Sequence, residues 1–405
     1  MEHIGNRKVR SRLSNAATAG CLLLAPPGFG AVLRVADGED LGARVAAAKG
    51  GDTVLVGAGT YGGFAIQNRV FTEGAPLVIK AEPGAAPLVR GSQWYLLPIS
   101  NSSFIVLDGL VLEGGGQPLY LTDVDHLILA NLEVRQCGQE AIHIRGSSRY
   151  VDVVNCHIHH TGSAQPQWAE GIYVGSGSQP YMNNEHIWIE GCDIHHTGNS
   201  EGINVKPRSF HVTIRNNRVH EIQPGTASQY NQAAISLEAA DLDFQPGRER
   251  DIWIEGNEVY NVSRGRWANG IQVSTMGPKV KDNYVHGCEE HCLYFNDFLH
   301  GPGSFQTVLY RNRMDSCGAG ERNTTSLPHV ERDPGENPNR PQSWYRSPTA
   351  VRPGPGIGIA SRLRRDGPAH DALGRLFRQT GAHPRLIVTF SRDPARRGVW
   401  IGRPR

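Results

Sequence analysis

Residues 186–194 read HIWIEGCDI and residues 251–259 read DIWIEGNEV, and the fold follows from that near-identity. Each holds a β-rich run, a small or amide residue, one further residue and a closing aliphatic. The same phrase returns as FIVLDGLVL, HLILANLEV, YVDVVNCHI, HVTIRNNRV, PKVKDNYV and VLYRNRM. The closing aliphatics are Leu112, Val134, Ile158, Ile194, Val219, Val259, Val285 and Met314, in steps of 22, 24, 36, 25, 40, 26 and 29 residues. A second phrase falls between them: EAIHI, EGIYV, EGINV, AAISL, NGIQV and HCLYF, anchored on Ile142, Ile172, Ile203, Ile235, Ile271 and Leu293.

A minimum step near 22 residues with variable excess marks a solenoid that carries loops in some turns. The units hold alternating apolar runs and no helical periodicity, which selects strands. A β-propeller needs units of about 40 residues with four strands each. The expected fold is all-β: a single-stranded parallel β-helix over residues 32–320, right-handed by the general chirality of parallel connections.

Composition fits this reading. Gly (48) and Pro (25) together make about 18% of 405 residues, too many breakers for a long-helix protein and too few for a low-complexity chain. The formal net charge of +2 hides three unlike parts. Residues 1–31 carry four basic residues and one acid, and residues 331–405 carry 15 arginines and six acids. The stretch between them is therefore at −10, which disfavours nucleic acid as a partner. In residues 1–31 a basic segment (Arg7 to Arg12) precedes an apolar run (Ala16 to Ala25) and small residues, the order of a secretory signal. That run is too short to span a bilayer, which takes about 20 residues. A secreted or periplasmic, monomeric protein with no membrane span is expected. Residues 321–405 are rich in Arg, Pro and Gly and read as a poorly ordered tail or loose cap.

In a β-helix, equivalent residues stack about 4.8 Å apart, so columns carry the information. Cys156, Cys192, Asn217, Asn257, Asn283 and Asn312 form one column, expected to be a structural amide ladder. Cys156/Cys192 and Cys288/Cys317 fall on adjacent turns, where disulfides could form after export. His159, His195, His220, Tyr260 and His286, with His160 and His196 alongside, read as stacked rings rather than a metal site. Glu140, Glu170 and Glu201 stack three carboxylates on successive turns. Such charges repel and need a cation such as Ca²⁺, a shared proton, or a counter-charge from Arg145 or Lys206. Beside them, Asn204 and Lys206 should point outward together, with His143, Tyr173 and Ser236 in one column and Arg145, Gly175 and Glu238 in the other. A basic, aromatic and amide-bearing strip of this kind suits a sugar chain.

The stretch DLGARVAAAKGGDTVLVGAGTY (40–61) suggests a short capping helix and first strands, and resembles the opening of β-helix polysaccharide lyases. That likeness spans residues 35–320 and implies the pectin-lyase-like fold. The phrase E-G-I-N-V-K…I-R-N-N (201–217) is similar to the D-G-x-x-x-K…F-R-x-C phrase of the family 9 pectate lyases. The opening is also similar to that of family 6, although AAISLEAA, with Glu238, stands where family 6 has an R-H-G arginine. The resemblance implies Lys206 as the base, with Ca²⁺ held by some of Glu140, Glu170 and Glu201. Arg145, Tyr173, Asn204, Arg208 and Arg215 would bind an acidic polysaccharide. Lys206 would remove the proton α to a uronate carboxylate, for which its pKa should be depressed by Arg208, Arg145 or the metal. Two other readings stay open: a non-catalytic carbohydrate-binding or surface-structural β-helix, and a glycoside hydrolase. Neither the N-T-D or G-H-G of such hydrolases nor the D-P-H-D of uronan epimerases is present.

Overall fold

The computed structural model describes residues 30–177, 183–223, 233–238, 250–263, 268–275, 277–295, 306–323 and 329–345, and the strands Ile387–Phe390 and Val399–Gly402. Most of residues 1–31, the signal-like segment, lie outside the described residues, as do most of those after 345. The chain divides into two units, Met1–Ile357 and Gly358–Arg405. In the second, the two strands form an antiparallel pair, Ile387 opposite Gly402.

The first unit is a parallel β-helix with three sheet faces. Second-phrase strands such as Ile142–Arg145, Ile172–Val174, Ile203–Val205 and Ala233–Leu237 build the first face. The run before each small residue builds the second, as in Asn184–Glu190 and Ser209–Arg215. The closing aliphatics build the third, a ten-stranded sheet that includes Glu133–Arg135, His157–His159 and Asp193–His195. Two twelve-residue strands, Leu97–Asp108 and Leu119–Ala130, run through the corner between the first and second faces.

Register explains the core. Ile142 pairs with Ile172, then Ile203, Ile235, Ile271 and Leu293, all at most 1% exposed. On the third face, Val134, Ile158, Ile194 and Val219 stack in the same way. Each fully buried side chain of this kind contributes about 1.5–3 kcal/mol.

The corner between the second and third faces needs a left-handed backbone. Asn131, Asn155, Asn216 and Asp282 supply it at φ 53–57°, and Gly191 and Gly256 supply it where the phrase reads E-G. These are the residue types that tolerate that region. The next residue is the amide column. Asn217 donates its backbone N–H to Asn257 Oδ1 at 3.0 Å, Asn257 donates to Asn283 at 3.0 Å, and Asn283 to Asn312 at 3.2 Å. Each Nδ2 of Asn217, Asn257 and Asn283 also reaches a carbonyl of the rung below, at 2.9–3.0 Å. The ladder thus satisfies buried backbone groups at a corner where the sheet cannot.

The helix Leu41–Ala47 begins at Asp40, whose carboxylate accepts the Ala43 N–H at 2.9 Å, and buries Leu41 and Val45. A strand, Val32–Val35, precedes it and pairs with Thr53–Val56. The disulfide joins Cys292 to Cys317, not Cys288 to Cys317. Cys288 ends a third-face strand, stacks beside Val262 and is buried; Cys292 lies past the next corner, with its Cα 5.6 Å from that of Cys317. Cys137, Cys156, Cys192 and Cys288 are free and buried.

After the strand His329–Glu331, which pairs with Thr307–Tyr310, the chain turns back along the second face. Asn337 donates to Thr213 and Glu255 at 3.1 Å, Gln342 reaches Asp152 at 2.7 Å, and the Tyr345 hydroxyl reaches Asp108 at 2.7 Å. Trp344 and Tyr345 cover Val106, Ile128 and Ala130. A segment that composition assigns to the tail therefore straps several turns together.

Candidate functional site

The three glutamates stand just before first-face strands and are buried at 7%, 3% and 3% exposure for Glu140, Glu170 and Glu201. Burial pushes all three carboxyls up: Glu140 above its ordinary range, Glu170 well above it with help from its two neighbours, and Glu201 to about 7. Gln117 donates its amide to Glu140 at 2.5 Å. Glu201 accepts the Ser200 hydroxyl at 2.8 Å and the Asn204 amide at 3.1 Å. Glu170 Oε2 has no hydrogen-bond partner. A buried carboxyl of this kind is most stable neutral.

Above the acids lies the strip on the outer side of the first face, where His143, Asn204 and Ser236, expected to face outward, are nonetheless buried. Tyr120, His143, Tyr173, Asn204 and Ser236 pair in register across five turns. The rings touch edge to face, with centroids 5.3 Å apart for Tyr120–His143 and 4.5 Å for His143–Tyr173. Burial lowers His143 to about 3, so its ring is neutral, and Nε2 lies 3.0 Å from the Gly175 carbonyl. Two cations cross this strip. Arg145 donates to the Tyr120 hydroxyl and lies 5.4 Å from the ring centroid. Lys206 Nζ lies 5.1 Å from the centre of Tyr173. Gly175, at φ 99°, makes room for it: a Cβ there would come within 2.8 Å of the Lys206 Cβ.

Lys206 Nζ sits 2.5 Å from Glu238 Oε1, and the lysine side chain is 14% exposed. Burial alone would push the ammonium down, but Glu238, Tyr173, Glu201 and Glu170 outweigh it and hold its pKa well above the ordinary value. The depressed lysine pKa that the sequence reading requires is therefore absent from the free protein. Asn204 bridges the two acids, donating to Glu201 and to Glu238 at 3.1 Å each.

The structure thus brings together Glu140, Glu170, Glu201, Arg145, Tyr173, Asn204 and Lys206. Arg208 lies at the corner leaving the first face, at φ 60°. Arg215 stands around that corner on the second face, 3.6 Å from Glu190 and 3.8 Å from Glu255. The six residues between Arg208 and Arg215 carry the latter to another surface, apart from the strip. Three residues join the strip that the sequence reading did not name: Tyr120, Tyr95 and Trp94. Tyr95 lies against Tyr120 with the rings tilted and their centroids 4.3 Å apart, and Trp94 donates to Gln117 at 3.3 Å. Trp94 and Tyr95 are 43% and 40% exposed, unusual for large rings. The signal was present for Tyr120, which occupies the column of His143 and Tyr173.

Among the described residues, one group of three metal-ligating side chains converges, with ligand atoms within 4.8 Å of one another: Glu133, His157 and His159. It lies on the third face, apart from the glutamate column.

Comparison with known proteins supports the architecture. The family model for a right handed beta helix region matches residues 89–241. An alginate lyase from Paenibacillus sp. str. FPU-7 superposes with a TM-score of 0.59 at 20% identity, covering 72% of this chain and 98% of its own. ORF18 of Geobacillus virus E2 follows at 0.51 and 11% identity, covering 75% of this chain and 62% of its own. Pectate lyase Pel9A gives 0.49 at 15% identity, covering 73% of this chain and 79% of its own. No curated protein matches the chain. The protein is a right-handed parallel β-helix, a fold it shares with the alginate lyase.

Proposed function

We propose that this is an exported, carbohydrate-active β-helix that cleaves an acidic polysaccharide by β-elimination on its first face. The observation that carries the reading is the pairing of each cation with a tyrosine ring on one surface, Arg145 with Tyr120 and Lys206 with Tyr173. Rings offer flat apolar area to a pyranose, and the cations offer partners to its carboxylates. Arg145 and Lys206 are two rungs apart, about 10 Å, so a chain lying along the solenoid axis meets both. The exposed Trp94 and Tyr95 extend the same track. The likeness to an alginate lyase lends the reading its substrate class. Export rests on the signal-like order of residues 1–31; no helix among the described residues is long and apolar enough to cross a membrane.

In this reading Arg145 binds a uronate carboxylate, which makes the adjacent C–H more acidic. The Lys206 amine takes that proton, the electron pair forms the C=C bond, and the bond to the β-placed glycosidic oxygen breaks. The resulting ammonium returns the proton to the departing oxygen. The amine is the minor form while Glu238 holds the ammonium, so turnover should rise toward alkaline pH.

Ca²⁺ at Glu140, Glu170 and Glu201 fits poorly. Among the described residues, Glu140, Glu170 and Glu201 do not form a group whose ligand atoms converge within 4.8 Å, whereas Ca²⁺ holds six to eight oxygens at about 2.3–2.6 Å. Two of the three acids already accept neutral donors. The column is instead relieved by a proton on Glu170, whose buried Oε2 has no partner.

The second reading, a non-catalytic carbohydrate binder, draws on the same Lys206–Glu238 pair, which favours a fixed cation over a base. The test is to incubate the protein with alginate, pectate and glycosaminoglycans and follow ultraviolet absorbance of the unsaturated product. Product should form on one substrate, survive a chelator, and fall at least about 100-fold in Lys206→Ala. Binding without product would favour the second reading. Undiminished activity in Lys206→Ala would overturn the assigned base.

A further inference from the structure

The third face carries a second cluster of chemistry-bearing side chains that β-elimination does not use. Its outward positions form a two-column grid. One column reads Glu133, His157, Asp193 and Arg218, the other Arg135, His159, His195 and His220. The second is the ring stack read from the sequence, with His159–His195 centroids at 5.1 Å and His195–His220 at 5.0 Å. His157, from the first column, breaks that simple picture. Its Nε2 lies 2.9 Å from the Nε2 of His195, and its ring centre lies 4.3 Å from that of His159. His159 Nε2 in turn lies 3.3 Å from Glu133 Oε1.

We propose that Glu133, His157 and His159, whose ligand atoms lie within 4.8 Å of one another, form a binding site for a borderline divalent transition metal, with Zn²⁺ as the best match and His195, beside His157, reaching it as the fourth ligand by a side-chain rotation. Three observations support it. A tetrahedron with metal–nitrogen bonds of about 2.0–2.1 Å has edges near 3.3 Å. The observed separations of 2.9 and 3.3 Å reach that value with shifts of a few tenths of an ångström. The donor set also suits this class: imidazoles select Zn²⁺ and its neighbours, whereas Ca²⁺ and Mg²⁺ take oxygen.

The third observation is the outer layer. A metal-bound imidazole nearly always has its other nitrogen hydrogen-bonded, which fixes tautomer and ring orientation. Here His159 Nδ1 faces His160 Nδ1, and His195 Nδ1 faces His196 Nδ1, both at 2.7 Å. His160 and His196 stack on each other at 4.8 Å. His159 is thus oriented with Nε2 toward Glu133, and His195 with Nε2 toward His157. Arg135 bonds Glu133 and also Glu113, so it can release one acid and stay paired to the other. The site bridges three adjacent turns on a face apart from Lys206, so bound metal should act on stability rather than on turnover.

The test uses the full chain, made without a histidine tag and stripped by chelator. Calorimetric titration with Zn²⁺ should give one saturable site, and thermal unfolding should move upward with bound metal. Co²⁺ should develop the visible absorbance of a tetrahedral nitrogen-rich site, a readout that needs no variant. His157→Ala and His195→Ala should abolish the site, and His196→Ala should weaken it about 10- to 100-fold. Circular dichroism in chelator checks that each variant is folded. Absence of saturable binding by the unmutated chain, an octahedral Co²⁺ spectrum, or binding retained in folded His157→Ala would each overturn the proposal.

Discussion

The first and third faces of this solenoid both stack titratable residues, and they handle the charge in opposite ways. In one column of the third face, Asp193, Arg218 and Glu258 alternate in sign from rung to rung. Arg218 lies 3.6 Å from Asp193 below and 3.8 Å from Glu258 above, and His286 lies 3.6 Å from Glu258. These groups are partly exposed and each has an opposite neighbour. On the first face Glu140, Glu170 and Glu201 repeat one sign, are buried, and hold the carboxyls up. A repeating scaffold places like above like by default, and alternation is the inexpensive remedy. Where the column keeps one sign in a dry place, burial favours the protonated carboxyl, and Lys206 sits beside it.

The contrast can be broken at its strongest point with Glu201→Gln. A carboxyl raised to about 7 contributes stability in full below about pH 4.5, and that contribution is lost as pH rises through about 7. Each tenfold change in proton affinity corresponds to about 1.4 kcal/mol, which makes the loss of order 3 kcal/mol. The unfolding temperature of the wild type should therefore fall between pH 5 and pH 8, and that of Glu201→Gln should fall less. Equal slopes would mean that Glu201 is ionised throughout. A smaller effect sharpens the comparison from the other side. Glu258→Gln on the third face should change stability by less than about 1 kcal/mol. A loss as large as that at Glu201 would remove the distinction between the two columns.

The sequence made the solenoid readable because its core signal repeats. Ile142 through Leu293 and Leu112 through Met314 mark two faces directly, and the Asn217–Asn312 ladder forms as its spacing implies. The strap of residues 337–345 was not readable. It is not a rung, so it has no period, and it attaches through single side chains such as Gln342 and Tyr345 to partners about 190 to 240 positions away. The Cys292–Cys317 pair was missed because adjacent turns narrow the choice of partner but the corner between Cys288 and Cys292 decides it. In the candidate site, column logic located Lys206, Arg145, Tyr173 and the three acids. It did not give the ionisation of Lys206, which follows from a 2.5 Å contact with Glu238, 32 residues on. His157 was passed over because it stands one column away from the histidines that repeat.

The central claim is that Lys206, held charged by Glu238 above a buried acidic column, is the group that reacts. Its most direct test is the pH–rate profile of wild type beside Glu238→Gln on whichever acidic polysaccharide yields unsaturated product. Removing the anion lowers the ammonium pKa, so the alkaline limb should move to lower pH in the variant, with higher relative activity near neutrality. A limb that stays in place when Glu238 loses its charge would contradict Lys206 as the base.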